Sequence, residues 1–276
     1  MFMRNNISSK QGTWVNSKVD LVMWAKNGER FLPFVLKRIC QVIPDESVNQ
    51  KIFVDDHSTD RSREIAREFN WIVYPNLKGG IPNGANEALR HVTSEFFVSI
   101  EQDLILARDW WERIPPYMAD SKVAVAQGLR FSTNPTLRKF EEYVLSRKEP
   151  DWFHSIDNNI FRTEVIRQLG GFPFEHPAYV DSVLRRKIVD ETPYKWIVDK
   201  TVVSNHIRES IDNYIEHERL LHARYHSSEG SFLKLLRLFA TSPARGLIIA
   251  FKKREPSLLW IYTRSRWVIL EAYLER

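Results

Sequence analysis

The sequence predicts an α/β domain, a mostly parallel sheet flanked by helices, with a helical appendage at its C-terminal end. Three observations predict it. Short apolar runs alternate with segments of helical periodicity from Val19 to His206. Several of those runs end in carboxylates or lead into glycine-containing turns, at the place where open parallel sheets present their binding crevice. Past Ile207 helical periodicity alone continues to the end, broken at Ser242-Pro243 and Glu255-Pro256.

The elements follow in order. Val19–Ala25 (VDLVMWA) is an apolar run bounded by polar residues and reads as a buried strand. Glu29 to Val42 reads as a helix from its spacing of Phe31, Phe34, Val35, Ile39 and Val42. Strands are expected at Lys51–Asp55, Trp71–Tyr74 and Phe96–Ile100, with helices over Ser62–Phe69 and Asn83–Val92 between them. Helices at Trp110–Met118 and Thr136–Ser146 enclose a strand near Val123–Gln127, and Asp199–Ser204 reads as a further strand. The expected divisions are a polar arm over 1–18, an α/β domain over 19–207 and a helical, basic amphipathic region over 208–276.

With 43 % apolar residues in 276, the chain has enough to build a core, which excludes wholesale disorder. The single cysteine, Cys40, excludes an internal disulfide and fits a reducing compartment, so a cytoplasmic location is expected. Residues 1–18 show no apolar stretch of the signal-peptide kind. No apolar run approaches the ~18 residues of a bilayer span. The net charge of +5 is uneven: Ser231–Arg276 carries nine Lys/Arg against three Asp/Glu. That asymmetry points to an anionic partner.

Three segments carry chemistry. Lys51–Asp60 (KIFVDDHSTD) ends a strand in Asp55 and Asp56, whose carboxylates can accept from a base N–H or ribose hydroxyls; a capped turn accounts for the same residues equally well. Asn76–Ala88 (NLKGGIPNGANEA) joins a strand to a helix through glycines that let backbone approach a ligand, with Lys78 placed to meet a phosphate; taken alone it is also an ordinary connection. Phe96–Leu106 (FFVSIEQDLIL) ends a strand in Glu101 and Asp103, hard oxygen donors that suit Mg²⁺ or Mn²⁺ against a diphosphate, or that serve as solvated loop acids.

In order and spacing these segments together resemble family 2 of the glycosyltransferases, which has the GT-A (Rossmann-like) fold. The resemblance runs from about Val19 to His206 through VDLVMWAKNGERFLP, VDDHSTD and GGIPNGANEALRHVTSEFFVSIEQD. It implies a donor site at Asn27, Asp55, Asp56, Lys78, Gly80, Asn86 and Gln102, with Asp56 on the base. It implies metal ligation at Asp103 and Glu101, where Glu101 stands in place of the first Asp of the DXD motif, and at His206 after the strand DKTVVSN. Ala85 replaces an Arg that contacts phosphate in relatives. Asn158–Phe172 (NNIFRTEVIRQLGGF) resembles the family's Arg-containing helix and Gly-Gly-Phe, and Val180–Lys187 (VDSVLRRK) its Glu-Asp-x-x-Leu helix with Val180 in place of Glu. The matching Asp181 is the implied general base, a role for which a carboxylate within reach of an acceptor hydroxyl is needed.

The implied activity is an inverting transfer of sugar from a nucleotide-sugar donor to a glycan or lipid-linked acceptor, with Mg²⁺ or Mn²⁺ as cofactor. Competing readings are a polyprenyl-phosphate sugar transferase, a sugar nucleotidyltransferase and a non-catalytic sugar- or lipid-binding relative. The nucleotidyltransferase would need a glycine-rich Arg/Lys loop after the first strand, where this chain has Trp24-Ala25-Lys26-Asn27-Gly28. Nucleic-acid binding is not expected, because the basic tail is too apolar for a phosphate-binding arm. The tail is instead read as docking on a membrane surface, through Phe232, Leu235, Leu236 and Phe239 on one helical face, through GLIIAF followed by Lys252-Lys253-Arg254, and through SLLWIY and WVIL; packing of these helices on the α/β domain or on a second subunit is the alternative. His217, His222 and His226 are read as helix-face residues rather than ligands.

Overall fold

A computed structural model describes residues 17–147, 153–174, 180–208, 210–216, 219 and 232–275. The polar arm apart from residues 17 and 18 lies outside the described residues, as do His217, His222 and His226. The chain divides into two compact units. The first holds the described residues up to Arg130 and those of His154–Asn205; the second holds those of Phe131–Phe153 and His206–Arg276.

The first unit is organised by β1 (Val19–Ala25), β2 (Val48–Asp55), β3 (Ile72–Pro75) and β4 (Phe96–Ser99), which lie in the order β3-β2-β1-β4, all parallel. β7 (Asn159–Arg162) then pairs antiparallel with β4 and with β6 (Val123–Ser132). β8 (Lys195–His206) and the two-residue β5 (Leu104–Ile105) complete an eight-stranded sheet. Alternation along β1 explains why every one of its residues is buried. Leu21 and Met23 join a cluster with Phe53, while Val22 and Trp24 join a second with Ile52 and Val54, so each face of the sheet has its own core. Leu32, Val35, Leu36 and Ile39 of α1 (Leu32–Val42) and Ile65 and Ala66 of α2 (Ser62–Glu68) fill the first cluster. α3 (Ile81–His91), α6 (Thr163–Gln168) and α7 (Val180–Val189) fill the second through Ala88, Ile166 and Leu184. Deleting the fully buried Phe53 side chain is expected to cost about 3–5 kcal/mol.

Asp20, at the start of β1, is fully buried but well supplied. It accepts from the Thr93 and Ser94 amides (the latter at 3.0 Å), from Ser94 Oγ at 2.8 Å, from Asn49 Nδ2 at 2.8 Å and from Gln50 Nε2 at 3.0 Å. Burial pushes its pKa up, but the bonds from Thr93, Asn49, Gln50 and Ser94 outweigh that and hold it below the usual carboxylate value.

Several boundaries differ from the sequence pattern for local reasons. Phe34, counted toward the buried stripe of α1, is exposed, and Leu32 and Leu36 take the core positions instead. The helix expected over Trp110–Met118 splits into α4 (Trp110–Arg113) and a 3₁₀ turn over Pro115–Ala119, because Pro115-Pro116 removes two amide donors. The segment around Arg162 is strand β7 before it becomes helix α6.

In the second unit, α5 (Pro135–Arg147), α9 (Ser242–Lys253) and α10 (Ser257–Leu274) share a core of Leu137, Phe140, Ile249, Ala250, Leu258 and Ile261. Gly246 lets α9 approach closely: a Cβ there would sit 3.0 Å from the Leu259 carbonyl oxygen. Lys139 of α5 pairs with Glu255 at 2.7 Å. α8 (Phe232–Ala240) rests against α10 through Phe239 on Trp267, at 5.1 Å between ring centroids, and Phe232 on Tyr273, at 6.2 Å. The apolar face that the sequence marks on α8 is therefore partly committed to packing. Among the described residues no helix is long and apolar enough to cross a membrane.

Candidate active site

The carboxyl ends of β1 and β2 are knitted together by short polar side chains. Asn27, in left-handed backbone (φ 49°), accepts from the Thr59 amide through Oδ1 at 2.9 Å, and its own amide donates to Ser58 Oγ at 2.9 Å. Gly28 N donates to Ser62 Oγ at 2.8 Å. Asp55 ends β2 as a buried carboxylate; Oδ2 accepts from the Ser58 amide at 3.3 Å, and Oδ1 is buried without a hydrogen-bond partner. Asp56 accepts from the Gly80 amide through both oxygens at 3.2 Å and from Asn76 Nδ2 at 3.1 Å. It clasps the glycine turn, where Gly79 and Gly80 both have positive φ, and so sets the start of α3. Lys78 stands exposed on this turn.

Two of the donor-site residues implied by the resemblance have their amides engaged by backbone. Gln102 accepts from the Lys26 amide at 2.9 Å and donates to the Lys26 carbonyl at 3.1 Å, which ties the loop after β4 to the end of β1. Asn86 accepts from the Phe172 amide at 2.9 Å and donates to the Phe172 and Pro82 carbonyls at 2.8 Å each. Gly171 fits beneath it, since a Cβ there would fall well inside contact distance of Asn86 Oδ1. Ala85 is fully buried in the core, so the position of the missing Arg is a packing position here.

Beyond β4 the character changes. Arg130, near the end of β6, donates from one nitrogen, Nη1, to Glu101 Oε2 and to Asp157 Oδ2, each at 3.0 Å. Asp157 is 1 % exposed, and its Oδ1 is buried without a partner. The Asp157 loop is pinned by Asn158 Nδ2 on the Leu129 carbonyl at 3.1 Å, by Ser204 Oγ on Asn158 Oδ1 at 2.9 Å, and by Ser99 Oγ on the Ile156 carbonyl. Asp181, on the first turn of α7, accepts from the Ile156 amide through Oδ1 at 2.6 Å. Burial raises the Asp181 pKa to about 6; Arg130 opposes the rise and Asp157 adds to it. Glu101 is also pushed well up, by burial and by the Asp157 charge, with Arg130 opposing. Glu101, Asp103, Asp157 and Asp181 thus gather around a single guanidinium, leaving an excess of negative charge in a desolvated place.

That arrangement suits a divalent cation. Glu101, Asp103 and His206, the last residue of sheet strand β8, each offer a ligand atom, all within 4.8 Å of one another. Two carboxylates supply the hard oxygen donors that Mg²⁺ or Mn²⁺ prefers, and the surplus carboxylate charge is what such an ion would offset. Arg130 and Asp157 are absent from the sequence-based site. One signal for them was available: an arginine inside the otherwise apolar strand VAVAQGLRFS requires a buried acid to pair with it.

Strand-end carboxylates, a clasped glycine turn and an acidic cluster on one GT-A-type sheet agree with the match between residues 20–192 and the family described as glycosyl transferase family 2. The chain belongs to that family. It superposes on a mannosyltransferase from Pyrobaculum calidifontis, solved with GDP-Man and Mn²⁺, with a TM-score of 0.64 at 18 % identity over 94 % of this chain and 87 % of that one. Glucosyl-3-phosphoglycerate synthase from Mycobacterium tuberculosis, solved with Mn²⁺, UDP and glucosyl-3-phosphoglycerate, superposes with a TM-score of 0.59 at 18 % identity, over 81 % and 84 %. TarS from S. aureus, solved with UDP, gives 0.55 at 17 % identity, over 94 % and 91 %. At these identities the likeness concerns the fold. No curated protein sequence matches this family 2 transferase.

Proposed function

We propose that the chain transfers a sugar from a nucleotide-diphosphate sugar to a hydroxyl acceptor, with inversion at the anomeric carbon and Asp181 as the general base. The observation that carries this reading is a carboxylate with a pKa near 6 in the same cluster as a metal-competent set of ligands. Asp181 Oδ1 is held by the Ile156 amide, which leaves Oδ2 to take the acceptor's proton. As the acceptor oxygen bonds to the anomeric carbon, the bond from that carbon to the donor phosphate breaks and the nucleoside diphosphate leaves with the electron pair. Glu101, Asp103 and His206 would hold Mg²⁺ or Mn²⁺, which supplies positive charge to the leaving diphosphate. Lys78 and the Gly80 turn bind the donor phosphates, and Asn27, Asp55 and Asp56 serve the nucleoside. Asn86 and Gln102 shape that site through the backbone they hold. Arg130, fixed by Asp157, orients Glu101.

The test is a thermal-shift screen of UDP-, GDP- and dTDP-sugars with Mn²⁺, with Mg²⁺ and with chelator, since a ligand that binds the folded state raises its melting temperature. One nucleotide is expected to stabilise wild type in a metal-dependent way, and Asp103→Asn is expected to lose most of that shift. Binding without any donor turnover would favour a non-catalytic relative, a reading that Val180 and Glu101 at their motif positions keep in view. A lipid-linked acceptor met at a membrane surface is the second reading, supported by the excess of basic residues in Ser231–Arg276.

A further inference from the structure

The sequence offers membrane faces on α8, on the GLIIAF segment of α9 and on α10, and Phe239 and Phe232 of α8 stack on α10. Leu233 of α8 also stays 73 % exposed, but the most exposed large apolar side chain of the described tail, Phe251, stands on α9 beside two others. Leu247 is 61 % exposed, Ile248 51 % and Phe251 85 %, and together with Lys252 they line a shallow groove. At 100° per residue Leu247, Phe251, Ala244, Ile248, Lys252 and Arg245 succeed one another around one side of the helix. Ser242, Gly246, Ile249 and Ala250 occupy the other side and are buried. The two faces do different jobs. The buried one is fixed by the close approach of Gly246 to Leu259 and by the core shared with α5 and α10, and the exposed one is not needed for that packing.

Charge identifies the occupant. From Phe232 to Arg254 the sequence holds six Lys/Arg and no Asp or Glu. Lys253 turns to Glu142, at 3.7 Å, whereas Lys252, Arg245 and Arg254 are exposed beside the apolar arc. A second copy of this face would bring like charges together. An anionic bilayer offers the complement on both counts: acyl chains for Leu247, Ile248 and Phe251, and headgroup phosphates for the basic flank.

We propose that the outer face of α9, with Leu247, Ile248 and Phe251 inserted and Lys252, Arg245 and Arg254 at headgroup level, is the surface by which this chain lies on an anionic membrane. The proposal rests on the membrane reading above and assigns it to particular residues. Helix α9 is 12 residues long, which suits an interfacial helix and is far below the ~20 needed to span.

The experiment is cosedimentation of the full chain with phosphatidylglycerol-containing vesicles and with pure phosphatidylcholine vesicles, at low and high salt. It compares wild type, Leu247→Glu/Phe251→Glu, and Leu236→Glu on α8 as a control. Wild type is expected to bind the anionic vesicles in a salt-sensitive way. The α9 double variant is expected to lose at least ~10-fold in partitioning, the factor that corresponds to about 1.4 kcal/mol, with its melting temperature and nucleotide binding unchanged. The α8 variant is expected to keep binding. Equal binding by wild type and the α9 variant would overturn the assignment to α9 while leaving the membrane reading in place. Absence of wild-type binding to either vesicle removes both. Concentration-dependent self-association that disappears in the α9 variant would overturn the proposal in favour of a second copy.

Discussion

Two ends of the first unit's sheet are built from the same kinds of residue and treat them in opposite ways. At the carboxyl ends of β1 and β2, most of the polar groups are held by neighbouring backbone and hydroxyl groups: Asn27 by the Thr59 amide and Ser58 Oγ, Asp56 by Gly80, Gln102 by Lys26; Asp55, with its partnerless Oδ1, is the exception. Around Arg130 the carboxylates crowd together. Arg130 bonds to both Glu101 and Asp157, Asp157 keeps a buried oxygen without a partner, and Asp181 and Glu101 are driven toward protonation. The difference separates scaffold from chemistry. A saturated carboxylate holds a loop in place, whereas one that lacks donors is poised to take a proton or a cation.

The sharpest way to break this contrast is to remove its centre. Arg130→Met leaves Asp157 buried beside Glu101 without a counter-charge, and loss of one partner of a buried ion pair costs on the order of 3 kcal/mol. A large fall in denaturation midpoint is expected, smaller at acid pH, where a proton can replace the missing cation. A variant as stable as wild type at neutral pH would show that the cluster is well solvated and needs no cation.

Asp181→Asn tests the reactive half directly. Turnover is expected to fall ~10²-fold or more, the scale of general-base loss, with nucleotide affinity kept. In wild type the base must be ionised, so the rate is expected to rise with pH through about 6 and level off above it. Stability has the opposite sign. A carboxyl whose folded pKa is raised from 3.8 to about 6 contributes stability at low pH that is lost as pH climbs between those values. At pH 7 the Asn variant is therefore expected to melt no lower than wild type, and near pH 4 that relative advantage should vanish. Collapse of nucleotide binding along with turnover would make Asp181 part of the donor site instead.

On the scaffold side, Gly171→Ala is expected to destabilise by about 1–3 kcal/mol. Its backbone has φ +89°, and a Cβ would press into Asn86 Oδ1. A double variant with Asn86→Ala should recover part of the loss by opening that space, read as non-additive shifts in urea midpoint. Additive losses would show that Asn86 does not grip the Gly-Gly-Phe turn in solution.

Much of this fold was legible because apolar runs and helical periods report burial directly; β1 matches its apolar run residue for residue. The family resemblance pointed to Asp103, Glu101, His206 and Asp181, and the structure brings ligand atoms of the first three within 4.8 Å of one another. Arg130 and Asp157 were not legible, because they lie 27 positions apart in sequence and only the pairing of β6 with β7 brings their neighbourhoods together. Gln102 and Asn86 were legible as positions, whereas their bonds to the Lys26 and Phe172 backbone depend on loop geometry that no periodicity encodes. The exposed face of α9 was hidden for a related reason. GLIIAF is apolar on both sides, and only packing on α5 and α10 decides which side is left open.

The smallest expected effect falls on Gln102, and it draws the border between scaffold and site. Its amide makes two reciprocal bonds to one backbone unit, Lys26, at 2.9 and 3.1 Å, near the surface. Each such bond contributes about 0.5–1.5 kcal/mol net. The Lys26 amide and carbonyl that Gln102→Ala releases can turn to water, so the loss should sit near the lower end, about 1 kcal/mol in all. The cavity beside Gly28 would be small, because the Gln102 carboxamide approaches that glycine only at its far end, where a Cβ would stand 2.7 Å from Oε1. If Gln102 serves the loop and not the ligand, the nucleotide dissociation constant should change by less than about 3-fold, under 1 kcal/mol, while Mn²⁺ affinity stays set by Glu101 and Asp103. The measurement is a pair of titrations, nucleotide and Mn²⁺, beside a urea melt on the same preparation. A tenfold loss of nucleotide affinity with an unchanged melt would place the Gln102 amide on the donor and move it across the border into the reactive half of the sheet.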